Sequence, residues 1–162
     1  MDFSQSIRRR AAAVRQLSLR ELPGLVVAAS LLAVAVVGLA RWGFRPTVRR
    51  MQRLWPERPA RDQDGSRGIA AQRLSRIVDV AAVFVPAGWT TCLTRSLVLS
   101  TMLRHVGIPS EVRIGIRREG EGLHAHAWAD ADGAPVNESC DVVRGYLVFE
   151  GDVTDAILAA VR

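Results

Sequence analysis

CLTRSLVLSTMLRHVGIPSEVRIGIR, residues 92–117, and AHAWADADGAPVNE, residues 125–138, carry a change of hydrophobic period that decides the fold. Over 91–105 the apolar residues Leu93, Leu97, Leu99, Met102 and Leu103 predict a helix. Gly107 suits its C-terminal cap, and Pro109 prevents it from continuing. Over 111–117 the pattern alternates instead, which puts Val112, Ile114 and Ile116 on one face of a strand. Residues 123–131 read as a second strand. Asp132 and Gly133 form a two-residue hairpin turn, and the chain returns over 134–138. A further strand is expected at 146–149 and a terminal helix at 153–161, with Asp152 near its start. Helices followed by antiparallel strands define an α+β domain.

Upstream, residues 68–85 place Ile69, Leu74, Ile77, Val78 and Ala81 at helical spacing before Pro86 and Gly88 break the chain. Residues 56–67, PERPARDQDGSR, are polar with Pro and Gly and read as a linker. An Arg-rich helix is expected over 45–54. Before it, the uncharged run LPGLVVAASLLAVAVVGLA at 22–40 approaches the roughly 20 residues that span a bilayer. Two readings follow: a membrane anchor, or a helix packed on the domain or on a partner. Arginines flank both ends, so charge asymmetry gives no orientation.

The 162 residues leave room for one domain and a helical extension. The net charge of +6 comes from arginine alone, because lysine is absent. With abundant Ala and Gly, this reads as genome composition bias, as in a GC-rich bacterium, more than as a nucleic-acid patch. No nucleic-acid partner is expected; the arginine clusters suit a membrane surface or an acidic partner. Two cysteines make no disulfide framework, and the Arg-rich start is unlike a cleavable secretory signal. A cytoplasmic location is expected, with membrane association through the apolar helix as the variant of that reading.

Cys92 falls just after a turn, with Thr90 or Thr91 as N-cap, so its thiol lies in the first turn of a helix. Free N–H groups and the positive end of the helix dipole favour a thiolate there. The plain alternative is a buried structural cysteine. His126, on a strand, is a base that can also return a proton to a leaving group. Across the hairpin, Glu138 or Asn137 reaches the level of His126. The two face opposite ways, so only one can orient the imidazole. His124 shares the His126 face, which opens a zinc alternative with Cys92 and Asp130, though no CxxC or HExxH motif supports it. No metal and no cofactor are expected. Cys140 falls in an expected loop as a structural or incidental thiol, and His105 suits the C-terminal end of the Cys92 helix.

These residues together resemble the transglutaminase-like (papain-like) cysteine peptidase core, and within it the stand-alone leader peptidases of lasso-peptide biosynthesis. That family carries a Cys-Leu-x-Arg-Ser helix, a Gly-Ile-x turn, an Ile-Gly-Val-Arg-like strand and an Ala-His-Ala-Trp strand. The likeness is close over residues 89–138. It implies a catalytic domain at 68–162 after a helical region at 1–55 and the linker at 56–67. It also implies a Cys92–His126–acid triad that removes the leader from a ribosomally made precursor peptide. A separate leader-recognition protein would present the precursor, and an ATP-dependent lasso cyclase would take the product. Asp130 stands where the family usually has Glu, and Glu138, with Asn137 beside it, aligns best where the family usually has Asp. Glu138 is the expected third member. The alternatives are a transglutaminase-type acyl transferase with the same triad and a non-catalytic, membrane-associated scaffold.

Overall fold

The structure, a computed structural model, describes residues 18–60, 66–86, 88–120 and 122–148. The expected terminal helix over 153–161, Asp152 and Phe149 lie outside them. Four helices come first: Leu22–Trp42 (α1), Phe44–Leu54 (α2), Arg67–Val83 (α3) and Cys92–His105 (α4). Strands Ser110–Glu119 (β1), Gly122–Ala131 (β2) and Ala134–Pro135 (β3) follow, then the single-turn helix Cys140–Val143 (α5) and strand Leu147–Val148 (β4). The antiparallel sheet has the order β3-β2-β1-β4. This is the α+β arrangement expected from the change of period.

One apolar cluster joins the helices to the sheet. Ala28, Leu32 and Ala35 of α1, Met51 of α2, Val78 and Ala81 of α3, Leu99 and Leu103 of α4, and Ala129 of β2 all belong to it. Each large side chain fully buried there stabilises the fold by about 1.5–3 kcal/mol. Helix α4 runs through the middle of this cluster, so the residues at its N-terminal end are held by a well-packed rod. Ile69, expected on the inward face of α3, is instead exposed; the buried face of that helix runs through Ala71, Ile77, Val78 and Ala81.

Helix α1 is long and apolar enough to cross a membrane, yet Ala28, Leu31, Leu32, Ala35 and Gly38 are buried inside the domain. Leu22, Val26 and Val37 stay exposed on the other side. Gly38 is where α2 crosses it: a Cβ there would come within 2.6 Å of Thr47 Cγ2, so only glycine permits that approach.

The start of α1 is tied to α3 by a charge. The Ser18 N–H donates to Glu21 Oε2 at 2.8 Å, and Arg73 Nε donates to Glu21 Oε1 at 2.6 Å. The Ser18 backbone bond, then the Arg73 side-chain bond, pull the Glu21 carboxyl down from 4.5 to about 2. A depressed carboxylate stabilises the fold above its unfolded value, and that contribution is lost as pH falls toward the folded value. The melting midpoint should therefore drop as pH is lowered from 4.5 toward 2. In Glu21→Gln that part of the pH dependence should disappear. Parallel pH curves for the two chains would refute this account of Glu21.

The turn between β2 and β3 has the geometry expected of a tight hairpin. Asp132 and Gly133 have φ of 52° and 79°, the doubly left-handed turn that matches strand twist. The return strand differs from its expected span of 134–138, since β3 stops at Pro135. One more backbone bond follows, from Val136 N to Ala129 O at 2.9 Å. Beyond it, the side chain of Asn137 replaces a backbone carbonyl, its Oδ1 accepting from Ala129 N at 2.7 Å. Cys140, expected in a loop, is the first residue of α5 and is exposed. His105 does end α4, where its Nδ1 lies 3.0 Å from Pro56 O and its ring rests on Trp55.

Candidate active site

Thr91 is the N-cap of α4 and makes a reciprocal box with Thr94. The Thr94 N–H donates to Thr91 Oγ1 at 3.3 Å, and the Thr91 N–H donates to Thr94 Oγ1 at 2.7 Å. Two orphan donors are satisfied in this way, and the helix start is fixed. Cys92 is the first residue inside it and is half-buried. At that position its own N–H has no partner within the helix and points out of the helix end.

One turn further on, Ser96 attaches the helix to β2. Its Oγ donates to Ala127 O at 3.0 Å and accepts from Asn137 Nδ2 at 3.1 Å. Ala127 is the residue directly after His126. The clamp therefore ties the turn after Cys92 to the strand position next to His126. Asn137 completes it through Ala129 N, so its side chain is committed to structure and makes no bond to His126.

His126 is paired instead with Glu138, whose Oε2 lies 2.9 Å from Nε2. Its side chain is one-fifth exposed and that of Glu138 about one-quarter. A carboxylate on Nε2 favours the tautomer with the proton on that nitrogen, which leaves Nδ1 as the free basic lone pair. The second oxygen of Glu138 accepts from Ser139 N at 3.0 Å, so the carboxylate is itself oriented. Around the imidazole, Tyr146, Trp128 and His124 have ring centroids 5.5, 6.3 and 6.5 Å away. His124 Nδ1 is 2.8 Å from the Tyr146 hydroxyl. Gly115 makes room for this group, since a Cβ there would meet Tyr146 Cβ at 2.8 Å and Trp128 at 3.1 Å.

The structure thus brings His126 and Glu138 together. Among the described residues no hydrogen bond runs from the Cys92 thiol to His126. Such contacts commonly tighten only when substrate is bound. No three His, Cys, Asp or Glu side chains among the described residues group to hold a metal, so the zinc set of Cys92, His124, His126 and Asp130 is not assembled. Ser96 and Tyr146 were not singled out from the sequence. Alternation along β2 signals the shared face of His124, His126 and Trp128, but nothing local signals Tyr146 arriving from the bend before β4.

Asp79 of α3 adds a second charged pair nearby, 3.5 Å from Arg95 NH1. Loss of surrounding water raises the Asp79 carboxyl above its ordinary range, Arg95 pulls it back, and the charge of Glu138 adds a smaller push upward.

A half-buried thiol thus lies at a helix start, and the strand clamped to that helix carries a histidine paired with the Glu138 carboxylate, on an α+β scaffold. Residues 27–150 match the transglutaminase-like superfamily, and the chain belongs to it. That superfamily typically uses cysteine-protease-like catalysis, as peptidase or as acyltransferase. Comparison with curated proteins and with solved structures gives no match.

Proposed function

We propose that this chain is a cysteine peptidase that removes the leader from a lasso-peptide precursor. The observation that carries the site chemistry is the 2.9 Å contact between His126 Nε2 and Glu138. Support for the particular substrate comes from the motifs: Cys92-Leu-Thr-Arg-Ser on the helix and Ala-His126-Ala-Trp on the strand resemble those of the stand-alone leader peptidases.

In this reading the thiol proton passes from Cys92 to His126 Nδ1 as Sγ attacks the scissile carbonyl. The backbone N–H of Cys92 faces the oxygen that becomes negative. Breakdown of the tetrahedral intermediate transfers the proton to the departing amine and leaves a thioester on Cys92. Water, deprotonated by the same imidazole, then releases the carboxylate of the leader. Glu138 holds the ring and stabilises its cationic form. The freed amine goes to a separate ATP-dependent lasso cyclase, and a separate recognition protein presents the leader. The site is cytoplasmic, with α1 as the segment that associates with a membrane.

Mass spectrometry of a reconstituted reaction tests this reading against acyl transfer. The precursor, the recognition protein and this chain are incubated with and without a primary amine. Hydrolysis gives a leader ending in a free carboxylate whether or not amine is present. A leader carrying the added amine, in place of the acid, would overturn the peptidase reading. Uncleaved precursor would favour the scaffold.

A further inference from the structure

Thr91, Leu93 and Thr94, chain neighbours of Cys92, line a groove of about 630 Å³, within the roughly 300–1,000 Å³ of ordinary ligand clefts. Its walls come from the C-terminal half of α1, the loop before Cys92 and the first turn of α4; Val36, Val37, Ala40, Trp89 and Leu93 supply its apolar surface. Arg41 is the one charged side chain among the described residues that line it. Trp89 is 59% exposed and Val37 is 50% exposed, so two large apolar groups of this lining face solvent. Trp89 N donates to Pro86 O at 3.1 Å, and Gly88 has φ of 91°.

We infer that this groove binds apolar side chains on the acyl side of the scissile bond, which would make it a specificity-determining surface; the inference rests on Cys92 being the nucleophile proposed above. Two features choose this occupant. The groove is continuous with the helix start, since Thr91, Leu93 and Thr94 line it on both sides of Cys92 in sequence. None of its described lining comes from the sheet that carries His126. The departing amine must lie against His126 to receive its proton, so the leaving part of the peptide runs toward β2. The acyl part runs the other way, into the groove. Apolar walls with no acceptor-rich patch favour Leu, Val, Ile or Phe there over Gly or charged residues. Desolvating Trp89 and Val37 together supplies the driving force.

Helix α1 thereby acquires a role beyond packing. Its inner face is buried in the core, while Val36, Val37 and Ala40 build one wall of the substrate cleft.

The test alkylates Cys92 with two chloromethyl ketones, acetyl-Leu-Phe and acetyl-Gly-Gly, in a Cys140→Ser chain so that only one thiol remains. Each reaction forms a C–S bond, expels chloride and releases the thiol proton. Rates are divided by the rate with chloroacetamide, which has no side chain to place in the groove. The apolar ketone should react at least tenfold faster than the glycine ketone on this scale. Trp89→Ala or Val37→Asp should reduce that ratio at least threefold. A wild-type ratio near one, or a ratio unchanged in both variants, would overturn the inference and leave the groove to another occupant, such as the leaving-side segment. Failure of the underlying reading shows elsewhere: His126→Ala would then leave the chloroacetamide rate itself unaltered.

Discussion

In Cys92→Ala, precursor cleavage is expected to fall to the uncatalysed background while the chain stays folded. The side chain lost is small, half-buried and at the first position of α4, where Ala is well tolerated. The cap does not depend on it, because Thr91 and Thr94 make the box between themselves. The Ser96 clamp to Ala127 is also untouched. What disappears is the atom that forms the thioester in the proposed reaction. Loss of a nucleophile that acts as a unit with its base typically lowers kcat by on the order of 10⁴–10⁶-fold. Intact mass after incubation with precursor provides a second readout, since wild type should show a leader adduct on Cys92 under acid quench and the alanine chain none. Leader removal that persists at more than a few per cent of the wild-type rate would exclude Cys92 as nucleophile.

Local pattern made some parts of this molecule legible, and long-range pairing hid others. Helix α4 and strands β1 and β2 are long, with clear periods, and they appear within a residue or two of their expected ends. The Asp132-Gly133 turn was readable because a two-residue hairpin needs two residues that tolerate positive φ. The return strand was overestimated because pattern alone could not show that the Asn137 side chain would take the Ala129 N–H. For the same reason the choice between Asn137 and Glu138 stayed open. Alternation says that they face opposite ways but not which face meets His126. Tyr146 was invisible as a site residue, since β4 reaches the site only by pairing with β1 through Gly115 and Ile116. The groove was hidden too, because it joins residues near 37 to residues near 89, and no periodic signal links them. Helix α1 shows the same limit. Its hydropathy admits a membrane span, and only the packing of Ala28, Leu32 and Ala35 reveals a face committed to this domain.

Glu138→Gln and Asn137→Ala should fail in different ways. Glu138 contacts the imidazole Nε2 directly, so the amide removes the negative charge that stabilises the imidazolium and can present N–H where the ring needs an acceptor. The expected result is a fall of about 10²–10⁴-fold in kcat, by analogy with amide replacement in other nucleophile–histidine–acid sites, with a small change in KM. Melting should change little, because Gln keeps an oxygen for Ser139 N. Asn137→Ala acts on the scaffold instead. It strands the Ala129 N–H, which is inside the sheet edge, and removes one of the two partners of Ser96 Oγ. A buried donor left unpaired costs about 1–3 kcal/mol, which in a domain of this size lowers the melting midpoint by several degrees. Turnover per folded molecule should stay within about tenfold of wild type, since the His126–Glu138 contact remains. Measuring kcat and the melting curve for both variants separates the two roles. If Asn137→Ala lost as much kcat as Glu138→Gln with an unchanged midpoint, the orienting role would belong to Asn137. If neither variant lost activity, His126 would work without a third partner, and the carboxylate beside it would be an ordinary ion pair.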